Sequence, residues 1–189
     1  MIKIGILGDI GSGKSYVAKN FGYPVFNADL EVSKLYKSDR KIFNKLKKIL
    51  SEYIYSFPID KNEVSQAILA NKSNLKQIVK IVHFEIKKKM NFFLIKNKNK
   101  KIVILDIPLL LENKINGKKD VLVFVESKKS DILKRLKKRN NFNQELLNKF
   151  KDIQLPLDYK KKKAQFIVKN NFTKKSVKSA IKDVLKEII

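Results

Sequence analysis

Apolar positions along this chain follow two different periods, and the two alternate. Short apolar runs, closed by glycine, asparagine, aspartate, glutamate or lysine, stand at residues 2–7, 25–26, 102–105, 121–125 and 166–168. Runs of that length bounded by polar residues predict buried strands. Between them, apolar residues fall three and four apart. Ile42, Leu46 and Ile49 share one face, and Leu75, Ile78, Val79, Val82 and Ile86 share another, the pattern of an amphipathic helix. Helices are predicted over 16–21, 30–36, 41–49, 63–70, 73–96, 127–139, 142–153 and 173–189. Pro58 marks a break, Pro156 interrupts the segment after the helix ending at 153, and 108–112 reads as a loop or short helix.

Strands alternating with helices predict an α/β fold, a five-stranded parallel sheet with helices on both faces. Right-handed crossovers fix its hand. Ligands then belong outside the carboxyl ends of the strands. The helical stretch between the second and third strands far exceeds a simple crossover. A single domain is predicted, with a core of residues 1–29, 101–134 and 164–189, a helical acceptor-binding insertion over 30–100, and a helical lid over 135–163.

The first strand runs into Gly8-Asp9-Ile10-Gly11-Ser12-Gly13-Lys14-Ser15, and a helix follows. This is G-x-x-x-x-G-K-[ST] between a strand and a helix, the context the phosphate-binding loop requires. Gly8, Gly11 and Gly13 let the backbone curl close to an anion. The N–H groups that line such a curl, Ser12 included, form the cradle. Lys14 can reach the β- and γ-phosphates of a nucleotide, and the Ser15 hydroxyl can coordinate Mg²⁺. Nucleotide binding with Mg²⁺ follows; what the nucleotide is used for is not settled by the loop.

Two carboxylates stand at strand ends. Asp106 ends the clearest buried run and can hold Mg²⁺ beside Ser15, or cap the next segment. Asp29 ends the second predicted strand; it can accept a proton from an acceptor hydroxyl, or serve as the N-cap of the helix from Leu30. Arg135 and Arg139 are four apart on a predicted helix, hence on one face. Guanidinium groups grip phosphate oxygens in a planar fork, which makes them lid residues over the nucleotide; the alternative is a solvated basic face. His83 has no ligand-spaced partner and reads as a core or rim residue of the long helix.

Composition changes this picture little. Lysine and arginine number 43 against 18 acidic residues, a formal charge of +25 over 189 residues. Lysine is spread through nearly every segment, and the arginines are Arg40, Arg135 and Arg139 alone. That is a solvated coat with no local basic stripe, so no specific nucleic-acid partner is expected. There is no cysteine. No run approaches the roughly 18 apolar residues of a membrane span, and the chain opens on its first strand without a leader. A cytoplasmic monomer is expected, with no membrane partner.

An ordered set of residues resembles the dephospho-CoA kinase family over about residues 2–172. Ile6-Leu7-Gly8-Asp9-Ile10-Gly11-Ser12-Gly13-Lys14-Ser15 resembles its opening, and Val25-Phe26-Asn27-Ala28-Asp29 its D-A-D segment. Asp106-Ile107-Pro108-Leu109-Leu110-Leu111-Glu112 resembles D-x-P-L-L-x-E, the most specific piece. Arg135, Arg139, Gln154, Lys163-Ala164 and Asn170 follow in the order of the family's lid and last strand. The resemblance implies a phosphate-loop kinase fold, ATP and Mg²⁺ as cofactors, and ATP-dependent phosphorylation of the ribose 3′-hydroxyl of dephospho-CoA. It implies an essential aspartate at Asp29, with Lys14 and Arg139 as its catalytic partners. Gly8, Gly11, Ser12, Gly13, Lys14, Ser15, Tyr16, Arg135 and Arg139 are the expected nucleotide-binding residues; Ser15 and Asp106 are the expected metal ligands. The chain departs from the pattern at Asp9, Tyr16, Asn27, Phe84 and Gln165, where the family usually has glycine, threonine, aspartate, proline and aspartate. Other small phosphate-loop kinases, or a nucleic-acid-associated ATPase, are the alternative readings. A GTPase is disfavoured, since no N-K-x-D motif occurs.

Overall fold

A computed structural model describes residues 1–140 and 142–189. The first half runs β1 (Ile2–Gly8), α1 (Lys14–Asn20), β2 (Val25–Asn27), α2 (Ala28–Ser38), α3 (Arg40–Ile49), α4 (Lys61–Ala70) and α5 (Lys72–Lys96). It continues with β3 (Ile102–Asp106), β4 (Val121–Glu126), α6 (Lys129–Lys137), α7 (Gln144–Asp152), α8 (Leu157–Lys163), β5 (Phe166–Lys169) and α9 (Lys174–Ile188). Two compact units result. One comprises residues 1–27, 97–142 and 154–189, the other residues 28–96 and 143–153.

The first unit is the predicted five-stranded sheet, all parallel, in the order β2-β3-β1-β4-β5. β1 is central, with Ile4 in register between Ile104 and Val121. Its carboxyl end therefore opens toward the middle of the sheet edge, where the order reverses. One face is a continuous apolar layer. Ile4, Ile6, Ile102, Ile104, Val123, Val125 and Val168 pack with Val17 and Ala18 of α1 and Val177, Ile181 and Val184 of α9. A helix as short as α1 does not hold itself in water. Burial of its two core side chains, with Phe21 behind them, fixes it. The connection from β1 to β2 runs along the sheet in the opposite direction to that from β4 to β5. With right-handed crossovers, α1 and α8 then cover opposite faces. On the second face the segment after β3 lies close to β1. A Cβ on Gly5 would come within 2.5 Å of Leu110, which is fully buried.

The second unit is helical and centres on α5. Leu75, Ile78, Val82 and Ile86 of that helix are buried as the spacing predicted, with Met90 beyond them, whereas Val79 is only half-buried. The turn before α4 is held by Glu63, whose carboxylate accepts from the N–H groups of Tyr55 (3.1 Å) and Ser56 (3.3 Å). Asp39 and Asp60 cap α3 and α4, a service typically worth about 1 kcal/mol. Among the described residues no helix is long and apolar enough to cross a membrane.

Three local expectations are corrected. The segment after Pro156 is helical, α8, with the proline at its N-cap position; there proline's fixed φ suits a helix start and it interrupts nothing. β2 ends at Asn27, and Asp29 lies inside the first turn of α2, so it is not the N-cap of a helix from Leu30. Finally, α6 ends at Lys137, with Arg139 in the turn beyond. Arg135 and Arg139 thus do not share a helix face. After Leu136 come Lys137, Lys138, Arg139 and Asn140. With no apolar residue left to bury, the packing that sustains a helix stops. Of the predicted lid, residues 143–153 group with the helical unit and 154–163 with the sheet unit; Asn141 lies outside the described residues.

Candidate active site

The loop from Gly8 to Gly13 turns through left-handed backbone at three glycines, with φ of 143°, 85° and 90° at Gly8, Gly11 and Gly13. Side chains are disfavoured at all three for that reason alone, and there is no room either. A Cβ on Gly8 would lie 2.6 Å from the Val125 carbonyl oxygen, and one on Gly11 would lie 3.0 Å from both Ile132 and Leu136. One on Gly13 would collide with the Asn170 amide. The curled backbone is a cradle that any Cβ would fill, which fits the binding of a phosphate chain. Lys14 folds back across it, its Nζ donating to the carbonyls of Gly8 (3.1 Å) and Asp9 (2.8 Å). The ammonium is thereby held over the loop rather than out in solvent.

The loop is tied to its neighbours through one atom. The Ser12 carbonyl accepts from the Ser127 hydroxyl at 3.0 Å and from the Asn170 side-chain amide at 2.8 Å. Asn170 is 2% exposed, and its own N–H donates to the Glu126 carbonyl. The ends of β4 and β5 thus grip the loop that leaves β1. Sequence reading placed Asn170 only in a resemblance and missed Ser127, a lone serine that no spacing rule singles out. Ser12 itself is fully buried; its Oγ has no hydrogen-bond partner and lines a cavity of about 170 Å³ with Asp9, Glu126, Ser127 and Lys161. The Asp9 carboxylate accepts from the Ile10 N–H at 2.7 Å. This departure from the usual glycine is accommodated within the loop's own backbone.

Asp106, 3% exposed, closes β3, and its Oδ2 accepts from the Asn27 side-chain amide at 2.5 Å. The two residues are in register at the ends of adjacent strands. Here the departure at Asn27 has a function in the structure: an amide carries the hydrogens that a carboxylate lacks. Ser15 and Tyr16 are exposed on α1, and Asp29 is exposed in the first turn of α2. Among the described residues no cluster of three or more histidine or acidic side chains could hold a metal by itself. A hydroxyl such as Ser15 and a carboxylate such as Asp106 are the hard oxygen donors that suit Mg²⁺ shared with substrate phosphates.

Beyond Asp106, Leu110 anchors the D-x-P-L-L-x-E segment over Gly5, and Glu112 forms a buried ion pair. Its Oε1 lies 2.6 Å from Nζ of Lys160, which is 1% exposed, and also accepts from the Leu155 N–H at 3.0 Å. Lys160 donates further to Gln154 Oε1 at 2.9 Å. The sequence hides Lys160 at the head of a run of four lysines. Removing one partner of a buried pair typically costs about 3–5 kcal/mol. Lys160→Met is therefore expected to lower the melting temperature by about 6–20 °C, and adding Glu112→Gln to recover at least half of it. Thermal unfolding of the two variants checks this; a drop below about 2 °C in the single variant would reduce the pair to a surface contact.

Arg135 is exposed on α6, with its guanidinium 4.1 Å from the centroid of the Phe172 ring. Its Nη1 would be 3.5 Å from a Cβ on Gly13, so Arg135 does stand beside the loop. Arg139 is exposed in the following turn, where its N–H donates to the Leu136 carbonyl. His83 is half-buried on α5, and burial together with the nearby Lys87 pulls its pKa below the usual 6.5. Its Nε2 has no hydrogen-bond partner. The rim reading of this residue stands.

The family model for dephospho-CoA kinase matches residues 2–176. A dephospho-CoA kinase of Wolbachia pipientis is 36% identical over 187 residues, covering 96% of this chain and 95% of that protein. A crystal structure from Thermus thermophilus superposes with a TM-score of 0.79 at 27% identity, covering 100% of this chain and 98% of that one. A dephospho-CoA kinase structure from Campylobacter jejuni shares the fold, with a TM-score of 0.64 at 24% identity, covering 98% of this chain and 96% of that one. The glycine cradle closed by Lys14, the Asp106 strand end and the anchored segment through Glu112 are thus carried by a chain that belongs to the dephospho-CoA kinase family.

Proposed function

We propose that the protein is a cytoplasmic enzyme that transfers the γ-phosphoryl group of ATP to the ribose 3′-hydroxyl of dephospho-CoA, giving coenzyme A and ADP. The observation that carries this reading is the Lys14-covered glycine cradle in a chain matched by the family model from end to end of its sheet. The acceptor oxygen forms a bond to the γ-phosphorus as the bond to the β–γ bridging oxygen breaks. The hydroxyl proton goes to Asp29, which stands two residues past Asn27, the partner of Asp106. Lys14 follows the charge that gathers on the transferred phosphoryl oxygens. The loop N–H groups from Gly8 to Ser15 and the side chains of Arg135 and Arg139 bind the nucleotide, with Tyr16 following the loop serine. Ser15 and Asp106 would hold Mg²⁺, which would supply neutralisation of phosphate charge there. The segment over residues 135–163 acts as the lid that excludes water.

The test is an acceptor screen. With ATP and Mg²⁺ the purified protein should phosphorylate dephospho-CoA and leave nucleosides, nucleotides and shikimate unmodified. Phosphorylation of a nucleoside with dephospho-CoA inert would overturn the acceptor and keep the kinase. ATP hydrolysis with no acceptor consumed would overturn both.

A further inference from the structure

Phe172 has a left-handed backbone, φ 64°. For a bulky non-glycine residue that conformation is a genuine outlier, and outliers persist where the surroundings impose them. Here the surroundings are explicit. The Phe172 N–H donates to Asn170 Oδ1 at 2.9 Å, while the other end of the same amide holds the Ser12 carbonyl. One buried side chain therefore fixes both the glycine loop and the backbone of Phe172. The ring so placed does two things. Its edge would stand 3.4 Å from a Cβ on Gly13, and its face lies 4.1 Å below the Arg135 guanidinium. No carboxylate pairs with Arg135 among the described residues. The guanidinium is oriented by a ring that makes no competing hydrogen bonds, so its donors remain for an anion. Glycine would relieve the backbone but leave Arg135 a long, freely rotating side chain.

We propose that Phe172 is a positioning residue for the nucleotide: its ring, set by the left-handed backbone, is the platform that holds Arg135 beside the phosphate cradle. The inference rests on the nucleotide reading of the loop and adds a residue that neither the motifs nor the spacing indicated. Its prediction is a coupling. Phe172→Leu keeps an apolar side chain but loses the π-face, and should weaken ATP binding by roughly threefold to thirtyfold. Phe172→Tyr keeps the face and should bind ATP within about twofold of the parent. In an Arg135→Ala background, Phe172→Leu should add less than about twofold, because the residue it acts through is gone.

ATP titration calorimetry on the parent, the single variants and the double variant measures this cycle, with Lys14→Ala as control. Phe172→Gly, which the left-handed backbone favours, should lose as much ATP affinity as Phe172→Leu while keeping or raising the melting temperature. It also covers the case in which leucine does not fold at this position. Equal losses from Phe172→Leu with and without Arg135 would overturn the proposal, as would undiminished affinity in Phe172→Gly. Unchanged ATP binding in Lys14→Ala would count instead against the nucleotide reading of the loop, so the two failures can be told apart.

Discussion

Lys14→Ala should leave a folded protein that binds ATP weakly and makes no measurable coenzyme A. The Lys14 ammonium bridges the Gly8 and Asp9 carbonyls, both within its own loop. The loop keeps its ties from Ser127 and Asn170 to the Ser12 carbonyl in the variant. Melting should therefore shift by only a few degrees. Turnover is different. One preorganised neutral donor aimed at developing charge is commonly worth about 10²–10³ in rate. A full positive charge at the transferred phosphoryl group belongs at the top of that range or above, so a loss of about a thousandfold or more is expected. Steady-state assay of coenzyme A formation, with melting curves as control, measures both quantities. A variant that retains more than about a tenth of parental turnover would show that the loop backbone alone supplies the stabilisation.

Asp29→Asn should separate proton transfer from folding. The residue is exposed in the first turn of α2. Substitution removes a negative charge that favours a helix start, an effect of about 0.3–1 kcal/mol at low salt, reduced by screening. The fold should hardly notice. In the proposed mechanism Asp29 is the general base; an amide cannot accept the acceptor's proton, and such a step is typically worth 10²–10⁴. A fall in kcat of about two orders of magnitude or more is expected with ATP affinity intact. Asp106→Asn gives the contrast. Asn27 can still donate to the remaining carbonyl oxygen at position 106, but the charge is gone, so the rate should require more Mg²⁺ and recover partly as it is raised. Melting temperature, ATP binding and the Mg²⁺ dependence of rate distinguish the two variants. Near-normal turnover in Asp29→Asn would return that carboxylate to an ordinary place in a helix's first turn.

The departures from the family pattern divide in this structure into those with visible partners and those without. Asp9 closes on the Ile10 N–H, and Asn27 supplies the hydrogen bond to Asp106. Gln165 has a partner too, its Oε1 accepting from the Leu122 N–H at 2.7 Å where β5 joins β4. Phe84 is exposed on α5 under the Lys88 ammonium, 4.2 Å from its ring centroid, and nothing else in the structure explains it. Tyr16, the remaining departure, is exposed on α1.

The amino-acid sequence by itself determined the strands, most of the helices and the phosphate loop, because each is written in neighbouring residues. A buried strand is a short apolar run, a helix face repeats within a few positions, and the loop needs glycine where φ turns positive, as at Gly8, Gly11 and Gly13. Tertiary structure decided what depends on residues far apart in the chain. The strand order β2-β3-β1-β4-β5 follows from which apolar faces stack, and no local period encodes it. Glu112 found Lys160 from among four lysines indistinguishable in sequence, because only that one turns into the interior. α6 stopped at Lys137, where its buried face ran out, and so parted Arg139 from Arg135. Asn170 tied Ser12 to Phe172 across 158 positions of separation to the loop. Local signals fixed the glycine loop and the strand ends beside it. The side chains that hold those parts in place were chosen by packing, which acts through space and leaves no spacing to read.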